Sequence, residues 1–338
     1  MFAMNQVQRP TANTRRAGDD VLFDGQYNKV HIDEKWFNLS KDGKKYILVL
    51  GEAAPKQHVQ HKKFISKVMF LCAVAHPRWD TTKKAWWDGK LGMWPIGYYD
   101  VAQRSSVNRP RGTKVWKNAT MDHERFRMMI IDDLIPAIQA LWPAGEWGDP
   151  NFTITVQQDG AGAHPSSWKD HVIQSTLREL EANGNFTPGK IQFEKQPPNS
   201  PDTNICDLGL FNAVQSSYYL TAPKNEMEII TMVQQTYADY PYTKINRLFV
   251  TLMSVYNSII EHYGGNFFKV AHLNKDKMER EGTLPKQLPL SDEAIHIIEQ
   301  FHSEEPLTDS DVELDELDND EILDDLLGVE SEAPTGAI

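Results

Sequence analysis

The chain has 338 residues, with 35 Lys or Arg against 47 Asp or Glu, a formal charge of -12 and two cysteines. That length accommodates one large α/β domain with insertions and a tail. Two cysteines make no zinc cluster of their own, and there is neither a signal-like apolar start nor a run long enough to span a bilayer, which excludes disulfide scaffolds and membrane proteins and leaves a reduced compartment. The acidity is local: residues 302–338 hold fourteen Asp or Glu and no Lys or Arg, so the rest carries about +2 and nothing in its charge opposes a polyanionic partner.

In chain order, residues 1–28 are polar and read as a disordered lead-in. Alternating apolar and polar residues predict a strand over 29–37. The turn Ser40-Lys41-Asp42-Gly43-Lys44 joins it to a second strand over 46–50, and the unbroken apolar run 68–75 predicts a central strand covered on both faces. Residues 77–118, with tryptophans at 79, 86, 87, 94 and 116, read as an irregular loop insertion. Helical spacing follows over 121–141, with Asp122 or Thr120 as cap and Pro136 as a kink. A β-branched strand over 152–156 ends at Gln157-Gln158-Asp159-Gly160. A helix from about 167 to 182, a strand over 190–194, helices over 206–220, 225–239 and 244–262, and a short helix within 286–301 complete the pattern. Residues 302–338 are too acidic and too poor in aromatics to pack, and their spaced leucines suit a segment that folds on a protein partner. Hairpin-linked strands followed by strand–helix alternation predict a mixed sheet flanked by helices, an α/β fold of the ribonuclease-H-like type with a helical C-terminal extension. The domain bounds are 29–285 for the core, 286–301 for the short helix and 302–338 for the tail.

Three carboxylates sit where such a sheet ends. Asp33 lies in the first strand, Asp159 just past a later one, and Asp207 in the first turn of the helix after the Pro-rich loop 196–202. Hard divalent cations want carboxylate oxygens, and phosphoryl transfer at a phosphodiester needs a charge clamp more than a covalent helper. Each also has a plain reading. Asp33 suits the solvated face of a strand, Asp159-Gly160 is an ordinary turn, and Asp207 suits helix capping after Asn204. Glu34 belongs to the opposite strand face and is not counted. Between 101 and 121, Arg104, Arg109, Arg111, Lys114 and Lys117 accompany Trp116 with no acidic residue, which suits DNA phosphate contact or simply a solvated basic loop. His164 is a secondary candidate near the carboxylates, or a structural hydrogen-bonder.

The words around these aspartates, in chain order, are His31-Ile32-Asp33-Glu34-Lys35-Trp36-Phe37, Asp88-Gly89-Lys90-Leu91-Gly92-Met93-Trp94-Pro95, Ala102-Gln103-Arg104-Ser105-Ser106-Val107-Asn108-Arg109-Pro110, Gln158-Asp159-Gly160-Ala161-Gly162-Ala163-His164 and Gln196-Pro197-Pro198-Asn199-Ser200-Pro201-Asp202-Thr203-Asn204-Ile205-Cys206-Asp207-Leu208-Gly209. Together they resemble the mariner superfamily of transposases, in its plant-type branch. The match runs from about 29 to 285. By that resemblance Asp33, Asp159 and Asp207 are the three metal ligands for two Mg2+ or Mn2+ ions. The activity implied is hydrolysis at transposon ends and strand transfer into target DNA, by a homodimer when active, in the nucleus. Gly160 stands where the family usually has Asn, and Ala163 where Pro is common. The 32 residues ahead of Asp33 fit no helix-turn-helix, so the expectation is a catalytic core without the family's N-terminal DNA-binding module. The alternatives are a truncated or co-opted remnant acting as a nucleic-acid or protein interaction module, and a nuclease of the same fold acting on RNA–DNA hybrids.

Overall fold

The computed structural model describes residues 1–7, 20–39, 66–107, 109–143, 152–161, 166–167, 169–183, 190–221, 223–271 and 273–304. The expected strand over 46–50, His164 and the tail beyond 304 lie outside these residues. Residues 1–298 form one compact unit, and of the second, 299–338, only the end of a helix is described.

Strand β1 (Lys29–Asn38) sets the frame. Its period of two puts Val30 and Ile32 into one core and Phe37 into another, with His31 and Asp33 on the Phe37 side. Strand β2 (Lys67–Ala75) runs antiparallel along it, from Val30 opposite Ala75 to Asn38 opposite Lys67. Two three-residue strands, β3 (Arg78–Asp80) and β4 (Ala85–Trp87), form a hairpin before β5 (Lys90–Pro95), which pairs antiparallel with β2. A second ribbon, β6 (Gly97–Val101) with β7 (Lys114–Asn118), follows. Strand β8 (Thr153–Gln158) lies parallel to β1, and β9 (Lys190–Lys195) parallel to β8. The order β5-β2-β1-β8-β9, two antiparallel steps and then two parallel ones, is the mixed sheet of a ribonuclease-H-like fold.

One face is covered by α1 (His123–Met129), α2 (Ile135–Leu141) and α3 (His171–Ala182), whose Phe126, Ile138 and Ile173 meet Ile32, Leu71 and Ile154. The other packs against α4 (Phe211–Tyr218), α5 (Glu226–Asp239), α6 (Tyr242–Glu261) and the first turns of α8 (Asp292–Glu304). Phe249 and Tyr256 of α6 are fully buried there, and removing such an aromatic side chain costs about 3–5 kcal/mol. The short α7 (Lys275–Arg280) is tied to α6 by ion pairs of Arg247 with Asp276 and Glu279.

The structure corrects several sequence expectations. Residues 77–118 are not an irregular loop: they hold five strands, and β5 is the third antiparallel member of the main sheet. The lead-in is packed where it is described, since Ala3 and Phe23 are buried and Gln26 donates to Gln6 Oε1 at 3.0 Å and to the Tyr256 hydroxyl at 3.2 Å. Between α1 and α2 the chain makes a π-helical turn, Ile130–Leu134, directly ahead of Pro136. Proline lacks the N–H for the ordinary helical bond, and the wider turn falls where the chain approaches it. The last helix spans Asp292–Glu304 instead of 286–301.

Candidate active site

Two aspartates are positioned by register alone. β1 and β8 are parallel with His31 opposite Gln157, so two residues further each chain reaches an aspartate, Asp33 and Asp159, on the same side of the sheet. The third arrives by a different route. After β9 the chain passes through the loop 196–204 and enters a π-helical turn, Cys206–Leu210, that carries Asp207 and runs into α4.

A buried amide network fixes that turn against the strand ends. Gln157 Nε2 donates to the Thr203 carbonyl at 3.0 Å, and Asn204 Nδ2 donates to the Ile32 carbonyl at 3.0 Å and to Gln196 Oε1 at 3.1 Å. Asn204 Oδ1 in turn accepts from the Cys206 amide at 3.0 Å, opening the helix that bears Asp207. Gln157 and Asn204 are fully buried, where one polar group stripped of its partner costs about 1–3 kcal/mol. The loop is therefore not free to drift, and Asp207 is held within hydrogen-bonding reach of Asp33.

Asp33, Asp159 and Asp207 line one pocket of about 410 Å3 together with Gly160, Lys195 and the Gln196–Pro201 segment. Burial, then the neighbouring Asp207 carboxylate, then Glu34 push the Asp33 carboxyl up to about 9, opposed by the Glu34 amide that donates to its Oδ1 at 2.7 Å. Two carboxyls this close repel one another, so the pair gathers more negative charge than its surroundings neutralise. Glu34, set aside from the sequence as facing away, still contributes its charge. Among the described residues no group of three or more His, Cys, Asp or Glu is gathered tightly enough to hold a metal ion at once. Asp33 and Asp207 converge, while Asp159 lines the pocket without joining the pair, its Oδ1 accepting from the Ala161 amide at 3.3 Å as a turn aspartate does. In donor chemistry and in excess charge, the pair fits a hard divalent cation.

The five basic candidates do not enter this pocket. Lys114 and Lys117 stand on β7, and Arg104, Arg109 and Arg111 lie between β6 and β7; all five are exposed. The ribbon leaves β5 after Pro95, which pairs with Phe70, itself opposite Lys35, so it emerges at the same end of the sheet as Asp33. Gly97 is required at its base, because a Cβ there would stand 2.2 Å from the Lys117 carbonyl. Sequence reasoning missed Lys195, the basic residue of the pocket, and the Gln157–Gln196–Asn204 network. Lys195 is visible only as the residue before Gln196-Pro197-Pro198, and amides carry no periodic signal.

No family model matches the chain, and no curated protein sequence does. Among solved structures, a Mos1 transposase paired-end complex with left transposon end is similar over 72% of this chain and 57% of that one, at 15% identity and a TM-score of 0.47. A Mos1 mariner paired end complex with Mn gives 16% identity and a TM-score of 0.48, over 72% of this chain and 57% of that one. The catalytic domain of Mos1 mariner transposase gives 14% and 0.42, over 72% and 85%. The chain thus spans less than three fifths of the first of these proteins. What the pocket does follows from its own residues.

Proposed function

We propose that this chain is a metal-dependent DNA nuclease and strand transferase of the mariner transposase type, with Asp33, Asp159 and Asp207 as its metal-binding carboxylates. The observation that carries this reading is the Asp33–Asp207 pair, held by a buried amide network beside Asp159 in one pocket at the carboxyl end of β8. A structural salt-bridge acid would sit beside a cation. Here two acids are pressed together. Asp33 and Asp207 would hold Mg2+ or Mn2+ between them and Asp159 would supply the third donor; two such ions, when bound, stabilise charge on the attacking and leaving oxygens of a phosphodiester.

The protein's own share is positional. The amide network keeps Asp207 in place before any ligand arrives, which lowers the reorganisation needed at reaction. Lys195 supplies positive charge inside the pocket for a non-bridging phosphate oxygen. The β6–β7 ribbon, at the same end of the sheet, would hold the flanking DNA backbone. Water would attack the phosphorus as the strand bond breaks, and the released 3′-hydroxyl would then attack a target phosphodiester; no side chain need become covalently bonded. DNA, in a homodimeric assembly, is the partner this reading requires.

The test is Mg2+- or Mn2+-dependent cleavage of duplex DNA by the full chain. Cleavage that disappears in a folded Asp33→Asn variant is the expected result, and cleavage unchanged in that variant overturns the assignment. A second reading, an interaction module that binds no ion, is favoured by Asp159 standing outside the converged pair. It predicts no heat of Mg2+ binding.

A further inference from the structure

We propose that a cleft at the far end of the sheet from the carboxylates is a second nucleic-acid site, one that takes an unstacked base together with its phosphate. The cleft measures about 560 Å3. Tyr27, on its wall, precedes β1, and Asp33 lies six residues further along the same chain segment, roughly 15–20 Å at about 3.3 Å per residue. The two sites are therefore distinct.

Its aromatic wall is the β3–β4 hairpin. Trp79 pairs with Trp86 across the hairpin, their rings 6.3 Å apart and nearly perpendicular, and Trp86 stacks on Tyr242 at 5.1 Å. Both indoles remain about half exposed, at 50% and 49%, although two adjacent tryptophans are costly to leave in water. The opposite wall is rigid: Tyr27 stacks on the buried His76 at 4.4 Å, and His76 stacks on Phe249 at 4.2 Å.

The charge in the cleft is positive. Arg78 and Lys286 line it, and among the described residues no carboxylate does. Arg78 is fixed, donating to the His76 carbonyl at 3.1 Å with its guanidinium over the Trp87 and Trp142 rings. The hairpin's own acids are engaged elsewhere, Asp80 with the Thr82 and Lys83 amides and Asp88 with Lys90. An exposed π surface beside the exposed Lys286 cation matches a planar anionic ligand, and stacking on such a platform accepts any base.

The experiment titrates an oligothymidylate of about ten nucleotides into the full chain in EDTA, following tryptophan fluorescence. Saturable quenching is expected, weakened roughly five- to a hundred-fold in Trp79→Ala, partly restored in Trp79→Phe, and with a salt slope smaller by about one in Lys286→Ala. Because the titration is run in EDTA, with no ion at the carboxylates, a failure here and a failure of the carboxylate assignment are separable. Unchanged affinity in Trp79→Ala, equal affinity for inorganic polyphosphate, or preference for a glutamate–tyrosine copolymer, which would mark a protein partner, overturns the proposal.

Discussion

The two polar regions at the Asp33 end of the sheet are built on opposite plans. The carboxylate pocket is negative, partly buried and fixed by fully buried amides; the β6–β7 ribbon is positive, exposed and held mainly at its base, by Trp116 in the core and by Asn118 donating to the Lys67 carbonyl at 2.6 Å. Chemistry at a phosphodiester depends on groups placed to fractions of an ångström, so its residues are braced. Backbone binding needs charge and reach, and exposed cations supply both. If that division is right, substitutions in the two regions should differ in kind as well as in size.

The largest effect belongs to the pocket. Asp33→Asn or Asp207→Asn should lower metal-dependent cleavage by at least roughly 10²–10³-fold, the scale of removing one preorganised electrostatic group, while duplex binding in EDTA is retained. Loss of both together would erase the contrast. Next comes the brace: Asn204→Ala strips the Ile32 carbonyl and the Cys206 amide of their partners and should cost about 2–3 kcal/mol in chemical unfolding, with Mg2+ affinity reduced. Smaller again are the ribbon cations. Arg111→Ala or Lys117→Ala should leave stability within about 0.5 kcal/mol and reduce the salt slope of DNA binding by about one each, without changing the metal dependence of cleavage.

The pocket should also make stability depend on pH. Since the Asp33 carboxyl is raised to about 9 in the folded chain, the fold keeps a proton that the unfolded chain releases above about pH 4. That contribution is fully present below the ordinary carboxylate value and is lost as the pH rises towards 9. In EDTA, Tm should therefore fall between mildly acidic and alkaline buffer. Asp33→Asn or saturating Mg2+ should flatten the fall.

The same contrast explains what the sequence disclosed. Asp33 and Asp159 are legible because strong strand signals, 29–37 and 152–156, run straight into them, and parallel pairing then brings them side by side. Asp207 is legible as a residue opening a helix after a Pro-rich loop, but its approach to Asp33 is not, since it depends on Gln157, Gln196 and Asn204, whose amides bond across long sequence separations. Strand β5 stayed hidden because Lys90–Pro95 is short and contains Gly92, so that only pairing with β2 makes it a strand. Phe23 and Ala3 were hidden for a similar reason: isolated apolar residues in a polar segment gain their burial from α6 and its neighbours, not from any local pattern. The π-helical turns before Pro136 and around Asp207 likewise leave the apolar spacing of their helices almost unchanged.

The central claim is that Asp33 and Asp207 form one cation site completed by Asp159. Calorimetric titration of Mg2+ into the full chain and into the single Asp33→Asn, Asp159→Asn and Asp207→Asn variants tests it directly. The account predicts saturable binding in the wild type, abolished by the first and last substitutions and weakened by the second. Equal binding in all four proteins, or none in the wild type, would contradict it.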